Sequence, residues 1–250
     1  MGSGLGFPFI SSLSPGNQKL KNKSNITQKE VTQFYDSLVF PSRVSHPEYA
    51  QLIPNNVHGM IGDFGCGQSL FYERLKVCNP KPTFLDISLN ALKTIDYGLR
   101  INADICALPL RDQTYNLIAC IGVIHHLPEV KPAFKEISRV LKKQGIAIIG
   151  IYSQRSLQAK LRNFYERLHT EWVKRTVFYF VEVFIWLKSY VDNHHMAFFQ
   201  VNKRAQDLLQ TPLVKYLSAD QYIRMANEVN LEATDIKQIS SMTILKLIKF

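Results

Sequence analysis

Hydrophobic and polar residues follow two alternating rhythms through the middle of the chain. Short apolar runs typical of strands buried in a sheet cover residues 57–64, 83–87, 100–103, 115–121 and 145–152. Between them, apolar residues recur at helical spacing over residues 69–76, 88–99 and 129–141. Strands that alternate with helices imply right-handed crossovers and a mostly parallel sheet covered on both faces, so the pattern predicts an α/β fold.

The ends of the predicted helices carry residues that favour starting or stopping a helix. Ser88 is a suitable N-cap for the second helix, and Pro128 suits the first turn of the third. Lys142, Lys143 and Gly145 are expected to end that third helix, because cations are favoured near a helix C-terminus and glycine commonly follows it.

The flanking regions depart from this alternation. Apolar positions predict a helix over 26–40 and a short one around 47–52, whereas 153–217 is a run of helical patterns dense in aromatic and basic residues. After a helix over 219–229, strands near 232–239 and 242–248 are separated by two serines and pair most easily as an antiparallel hairpin. We therefore divide the chain into a flexible N-terminal arm (1–25), a helical lid (26–56), a core (57–152), a helical insertion (153–217) and a C-terminal helix with a strand hairpin that completes the core (218–250).

Composition and charge exclude fewer functions than the pattern of apolar and polar residues does. The 250 residues carry a formal net charge of +10, which makes nucleic acid, phosphorylated metabolites or a membrane surface plausible partners without choosing among them. The longest apolar stretch, 177–187, is interrupted by Glu182 and is too short to span a bilayer. Four cysteines without metal-ligand spacing favour reduced thiols in a cytoplasmic protein and no metal site, and His194 and His195 have no supporting ligand pattern.

The most informative motif follows the first predicted strand. The apolar run from Val57 ends in Asp63, Gly65 and Gly67 follow, and a helical pattern begins near Ser69. A strand, a tight glycine turn and a helix N-terminus allow a ligand to approach bare backbone closely. Because three positions after Gly67 the chain has Leu70 rather than a third glycine, the turn lacks the pyrophosphate fingerprint of dinucleotide-binding proteins.

Further candidate residues follow the other strands. Asp86 ends the second strand 19 positions after Gly67, where an acid accepts hydrogen bonds from a ribose diol. Asp104 and Ile105 follow the third strand, where they are suited to an exocyclic amine and a purine face. The fourth strand leads through Cys120 into His125-His126-Leu127. Ligands of open parallel sheets bind at the carboxyl ends of the strands, so these residues are expected to share one site.

These segments together resemble class I S-adenosylmethionine-dependent methyltransferases, of the type 11 group. The resemblance covers about 57–152 and includes the Gly-Cys-Gly turn, the Leu-Pro-x-x-Asp of 108–112 and the His-His-Leu after strand four. The stretch from Arg139 to Gly145 matches that group's Arg-Val-Leu-x-x-Gly-Gly, with Gln144 in place of the first glycine. Ser69 stands where many members have another glycine.

The resemblance implies a Rossmann-like three-layer α/β/α fold with a mostly parallel seven-stranded sheet, an antiparallel last strand and a helical cap insertion. It implies S-adenosylmethionine as cofactor, with Asp63 near its ammonium and Asp86 at its ribose. The other cofactor-binding residues that it implies are Gly65, Cys66, Gly67, Ile87, Asp104, Ile105, Cys120, Ile121 and Tyr35. Tyr35 belongs to a Phe-Tyr-Asp sequence like one that closes over the cofactor in this group.

The histidines and the insertion leave the acceptor open. His125 and His126 are candidates for a catalytic base, and the alternative is a purely structural turn. The insertion packs as a cap, encloses an apolar or aromatic acceptor, or presents basic side chains to RNA. These side chains are Lys160, Arg162, Arg167, Lys174 and Arg175.

We therefore expect a methyltransferase that acts on an oxygen or nitrogen of a small molecule. Wobble-base methylation of transfer RNA is the enzymatic alternative, since the segment from Val123 to Leu127 also resembles wobble-uridine methyltransferases. A non-catalytic partner protein of the same fold is the second alternative. The sequence leaves the oligomeric state open.

Overall fold

The structure, a computed structural model, describes residues 26–38, 47–54, 57–191 and 197–250. The predicted arm (1–25) and the pair His194 and His195 lie outside these residues. The helices are α1 (Gln28–Ser37), α2 (Pro47–Ala50), α3 (Tyr72–Leu75), α4 (Leu89–Leu92), α5 (Lys131–Val140), α6 (Leu157–Arg167), α7 (Glu171–Val191), α8 (Phe198–Gln210) and α9 (Ala219–Asn227). The strands are β1 (Ile61–Phe64), β2 (Thr83–Asp86), β3 (Leu99–Asn102), β4 (Tyr115–Ile121), β5 (Leu141–Tyr152), β6 (Leu231–Ile239) and β7 (Met242–Lys249).

All seven strands form one sheet in the order β3-β2-β1-β4-β5-β7-β6. The neighbours from β3 to β5 pair in parallel, and β7 pairs antiparallel with both β5 and β6. This confirms the predicted Rossmann-like sheet with its antiparallel last strand. The strand order reverses direction at β1, with β2 on one side and β4 on the other. In open parallel sheets ligands bind beyond the carboxyl ends of the strands at such a point, so the candidate site is expected beyond the ends of β1 and β4.

Two hydrophobic layers cover the sheet. On one face, α5 and α9 pack through side chains such as Phe134, Ile137 and Tyr222. On the other, Tyr72, Leu75 and further residues from α2 to α4 form the second layer. The central strands β1 and β2 are buried along their whole length, as their continuous apolar runs predict.

Helix caps explain several boundaries of the observed helices. Thr27 and Glu30 form a capping box that starts α1, and Ser218 and Gln221 form another at α9. Ser88 accepts a hydrogen bond from the Ala91 N–H and caps α4, as predicted.

The structure corrects other predicted boundaries. The glycine turn continues beyond Ser69, so α3 is one turn long rather than covering 69–76, and α4 likewise ends at Leu92 rather than at 99. Pro128 lies ahead of α5, whose first turn contains Pro132 instead. Helix α5 ends at Val140, within one residue of the stop predicted from Lys142, Lys143 and Gly145. The strand that follows begins earlier than predicted, because β5 starts at Leu141 rather than at Gly145.

The insertion folds as a helical cap with its own small core. Helices α6, α7 and α8 pack around Val181, Ala205 and Leu209. Among the described residues, no helix is long and apolar enough to cross a membrane. All four cysteines are free thiols.

Candidate active site

The turn after β1 is held open by backbone conformations that favour glycine. Gly65 and Gly67 have φ values of 68° and 52°, in the left-handed region. The N–H groups of Gly65 and Cys66 both donate to the Leu85 carbonyl, at 2.6 and 3.0 Å, and tie the turn to β2. A Cβ built on Gly67 meets no atom within 4 Å, so open space lies in front of this backbone.

Ser69 also has a left-handed backbone, with φ of 60°. Its hydroxyl donates to Asp63 Oδ2 at 2.6 Å and accepts a weak hydrogen bond from the Phe71 N–H at 3.3 Å. Ser69 therefore supports the turn and the acid rather than serving as the N-cap of α3. The left-handed conformation accounts for a glycine at this position in similar sequences, because a side chain is strained there.

Two buried carboxylates lie beside this turn. Asp86 accepts hydrogen bonds from the Gly67 N–H at 2.7 Å and the Ser88 N–H at 2.8 Å, which clamp the turn to the end of β2. Burial raises the pKa of Asp63 to about 7, and burial likewise raises the pKa of Asp86. Within the described part of the chain neither acid forms an ion pair with a cation. The crevice is therefore suited to a ligand that brings a positive charge and hydroxyl groups.

The end of β3 contributes a polar loop to the same edge. Asp104 Oδ1 accepts from the Cys106 N–H at 2.8 Å, so the carboxylate already stabilises its own turn. Ile105 is buried and packs in the larger hydrophobic layer. Cys120 and Ile121, at the end of β4, are also buried.

The His-His turn after β4 is enclosed. His126 Nδ1 donates to the Leu213 carbonyl at 2.8 Å, and the Lys215 N–H donates to the His125 carbonyl at 2.7 Å. The chain that follows α8 therefore lies across the turn. Both ring nitrogens of His125 are buried without a hydrogen-bond partner among the described residues. Burial lowers the pKa of His125 well below its usual value and that of His126 to about 4, so both rings are neutral near pH 7.

Aromatic rings gather around this pair. The Tyr152 ring, at the end of β5, lies 4.1 Å from the His125 ring, and the Tyr35 ring packs edge-on against His126 at 5.4 Å between centroids. We call Tyr35, His125, His126 and Tyr152 the aromatic chamber.

Helix α1 spans from the acidic crevice to the cap. Asp36 accepts from the Ser88 hydroxyl at 3.0 Å, next to Asp86, while Tyr35 donates to Asp207 of α8 at 3.3 Å. Lys203 of α8 donates to the Ser37 carbonyl at 2.7 Å. One helix thus connects the β2 end of the crevice with the insertion over the aromatic chamber.

Three residues of this region were not predicted from the sequence: Asp36, Tyr152 and Asp207. Asp36 is adjacent to Tyr35 in the Phe-Tyr-Asp sequence, which was a usable signal, and Tyr152 ends a predicted strand. Asp207 had no signal, because its contact with Tyr35 joins positions 172 residues apart.

Arg162 corrects the predicted basic face. It is buried, and its guanidinium donates to Glu166 at 2.8 Å and to the carbonyls of Leu208 and Thr211. Its charge and its hydrogen-bond donors are satisfied inside the cap, so Arg162 does not belong to a basic surface that could bind RNA. Lys174 forms an ion pair with Glu171 at 3.3 Å.

Comparisons with known proteins agree with this architecture. Residues 62–149 match the type 11 family model, described as a methyltransferase domain. An uncharacterized protein of Methanocaldococcus jannaschii is 34% identical, over 52% of this chain and 64% of that protein, so the chain spans less than two thirds of this relative's length.

Solved structures share the fold at low sequence identity. An S-adenosylmethionine-dependent methyltransferase from Thermotoga maritima is 14% identical with a TM-score of 0.53, over 88% of this chain and 91% of that chain. A structure of a Haloferax volcanii methyltransferase with the Trm112 methyltransferase activator gives 12% identity and a TM-score of 0.55, over 88% of this chain and 97% of the other. The expected class I fold is confirmed, and the match to the type 11 methyltransferase domain covers residues 62–149.

Proposed function

We propose that this chain, whose residues 62–149 are a type 11 methyltransferase domain, transfers a methyl group from S-adenosylmethionine to an oxygen or nitrogen of a small apolar or aromatic acceptor. The proposal has two parts, the cofactor and the acceptor, and different observations support them. The sulfonium of the cofactor supplies an already activated methyl group, so the protein contributes binding, alignment and the exclusion of water.

The unpaired carboxylates support the cofactor part. Asp63 would face the ammonium of the methionine portion, beside Gly65, Cys66 and Gly67. Asp86 with Ile87 would hold the ribose hydroxyls. A cation beside Asp63 and Asp86 would compensate two buried carboxylates that accept hydrogen bonds but have no ion-pair partner among the described residues.

The remaining predicted residues would surround the other parts of the cofactor. Asp104 and Ile105 would frame the adenine. Cys120 and Ile121 would line the methionine portion, and Tyr35 would close over it.

The aromatic chamber is the observation that carries the acceptor part. Its side chains lie beyond the carboxyl ends of β4 and β5, and α1 and the segment after α8 pack over them. The His125 ring lies 4.1 Å from the Tyr152 ring and 4.2 Å from the His126 ring between centroids, so a small apolar or aromatic acceptor would bind by taking the place of a ring in this cluster. A folded transfer RNA requires an open basic groove instead, and Arg162 does not contribute to one.

A histidine base fits the same geometry. His125 is neutral and has both ring nitrogens free of partners within the described residues, so it can accept a proton from an acceptor hydroxyl or amine. If His125→Asn shows wild-type turnover at every pH, His125 is not the base.

The cofactor part is tested by measuring S-adenosylmethionine affinity by calorimetry between pH 5.5 and 8.5. Because cation binding favours ionised Asp63, affinity should rise by about tenfold per pH unit up to about pH 7 and then level off. Asp63→Asn should bind weakly with no such rise, whereas the exposed control Asp235→Asn should follow the wild type. An unchanged profile in Asp63→Asn would refute the role of Asp63.

The acceptor part is tested by methyl transfer from labelled cofactor to two pools, small aromatic alcohols and amines on the one hand and total transfer RNA on the other. Transfer to the small-molecule pool is expected. Transfer to RNA alone, with retention that weakens steeply as salt is raised, would replace this part of the proposal with the RNA alternative. Cofactor binding without transfer to either pool would favour a non-catalytic protein.

A further inference from the structure

The outer surface of α7 exposes an unusual number of large apolar side chains. Trp172 is 72% exposed and Phe180 65% exposed. The other exposed large apolar residues of this helix are Tyr179, Phe184, Trp186, Leu187, Tyr190 and Val191. Single exposed apolar residues are normal on a protein surface, but a helix with eight of them forms a contiguous patch that marks an interaction site.

Helical spacing arranges these residues in two adjacent rows. Positions 172, 179, 186 and 190 fall on one row, and positions 180, 184, 187 and 191 fall on the next. We call these eight residues the aromatic face. The opposite side of α7 carries Val181, Glu182 and Ser189, which are buried against the cap. The cap core therefore uses one side of α7 and leaves the aromatic face outward.

The charges around this face are mainly positive. Arg175 precedes Tyr179 by one turn and Lys188 follows Phe184 by one turn, and both are exposed. Of the two acids in α7, Glu171 is exposed next to Trp172 and forms an ion pair with Lys174, whereas Glu182 is buried and accepts a hydrogen bond from Asn202. Residues 153–217 contain ten Lys and Arg and five Asp and Glu, which gives the insertion a net charge of +5.

We propose that the aromatic face binds the surface of an anionic lipid bilayer, with α7 lying parallel to the membrane plane. Tryptophan and tyrosine prefer the boundary between lipid headgroups and acyl chains, and flanking Lys and Arg are attracted to anionic headgroups. A second copy of the chain would bring two positively charged insertions together, so charge complementarity favours lipid over self-association. The inference goes beyond the proposed methyl transfer and does not depend on it.

The tryptophans provide a direct readout. The whole chain contains two tryptophans, Trp172 and Trp186, and both belong to the aromatic face. The full-length protein is mixed with two kinds of vesicle. One consists of phosphatidylcholine alone, and the other also contains about 30 mol% phosphatidylglycerol, which supplies an anionic surface. Binding to the anionic vesicles should shift tryptophan emission to the blue, and lipids brominated on their acyl chains should quench it.

Matched variants distinguish binding through the aromatic face from nonspecific hydrophobic adsorption. The triple variant Phe180→Ser, Phe184→Ser, Leu187→Ser should lower vesicle affinity by about tenfold or more, because each buried apolar side chain contributes to binding. Its far-ultraviolet circular dichroism should match the wild type, since these side chains are exposed. Val77→Ser removes an equally exposed apolar side chain outside the insertion and should bind as the wild type does.

Three results would overturn the proposal. One is an absence of emission shift and quenching with anionic vesicles. Another is equal vesicle binding by the triple variant and the wild type. The third is a concentration-dependent dimer in light scattering that the triple variant abolishes, which would assign the aromatic face to a second copy instead.

Discussion

The core and the cap distribute their polar and apolar side chains in opposite ways. In the core, apolar side chains fill both layers of the sheet, and the buried polar groups Asp63, Asp86 and His125 collect at the ends of neighbouring strands. In the cap, Arg162 and Glu182 are buried while the aromatic face points outward. In the core the buried polar groups support the proposed ligand site, whereas in the cap they hold helices together and the exposed surface supports the proposed contact with lipid.

Hydrogen bonding explains this difference. The Arg162 guanidinium has acceptors from a carboxylate and two carbonyls, so it is satisfied within the cap. His125 has buried ring nitrogens without partners, and Asp63 has a raised pKa without a cation nearby. Native proteins rarely leave buried polar groups unsatisfied, so the ring nitrogens of His125, which have no partner among the described residues, support the proposed ligand-binding role of the core, whereas the satisfied Arg162 supports a structural role in the cap.

The largest effect is expected from Arg162→Ala. Its loss leaves two buried carbonyls and Glu166 without their donor, and we expect the free energy of unfolding to fall by about 3 kcal/mol. Urea unfolding measures this loss, and hydrogen exchange should show the greatest deprotection in α6 and α8. Arg167→Ala, on an exposed side chain of the same helix, is the control and should change stability by less than about 0.5 kcal/mol.

Equal losses of unfolding free energy in Arg162→Ala and Arg167→Ala would contradict the contrast between core and cap, because Arg162 would then behave as a surface residue. A loss without deprotection of α8 would also contradict the structure, since Leu208 lies in that helix and accepts from Arg162.

The next largest effect is the loss of stability at acidic pH that His126 causes. Burial lowers the pKa of His126 to about 4 in the folded protein, below the usual 6.5, so protonation favours the unfolded chain. The stability contributed by the neutral ring is present above pH 6.5 and is lost as the pH falls towards 4. Relative to His126→Asn, the wild type should lose on the order of 3 kcal/mol over this range.

The comparison with His126→Asn removes other titrations from the measurement. The raised pKa of Asp63 acts in the opposite direction, because its ionisation destabilises the folded protein as the pH rises towards 7. Both proteins share that contribution, so the change in the difference between their urea midpoints from pH 7 to pH 4 reports the histidine. A difference that does not change with pH, or one matched by the exposed control His169→Asn, would contradict a buried neutral ring.

Much of the core could be predicted from the sequence because its signals are local. Each buried strand is a short apolar run, and β4 was predicted with both of its boundaries. Parallel connectivity then placed Asp63, Asp86 and the His-His turn at one edge of the sheet. The failures were also local: α5 ends close to where Lys142, Lys143 and Gly145 predict, but the strand after it begins at Leu141 rather than at Gly145.

The cap could be predicted only as helices, because its arrangement depends on contacts between distant residues. The hydrogen bond from Tyr35 to Asp207 and that from His126 to Leu213 connect different regions of the chain and follow no spacing rule. Basic residues look alike in a sequence, so nothing distinguished the buried Arg162 from the exposed Arg175. The sequence predicted the presence of aromatic residues in the insertion but not which of them lie outside.

The smallest effect, at Ser69, separates backbone strain from charge in the core. Ser69→Gly relieves a left-handed conformation, a gain of about 1 kcal/mol, but loses the hydrogen bond to Asp63, a loss of similar size, so stability should hardly change. Ser69→Ala keeps the strain and loses the hydrogen bond, so it should be less stable than Ser69→Gly by about 1 kcal/mol.

Both variants remove a hydrogen bond that lowers the pKa of Asp63, so in both the pH at which S-adenosylmethionine affinity levels off should move upward from about 7. Urea unfolding measures the difference between the two variants, and calorimetry across pH measures what they share. If Ser69→Gly and Ser69→Ala are equally stable, the backbone at Ser69 is not strained. If the affinity profile does not move in either variant, the Ser69 hydroxyl does not tune Asp63, and the raised pKa of this acid must be attributed to burial.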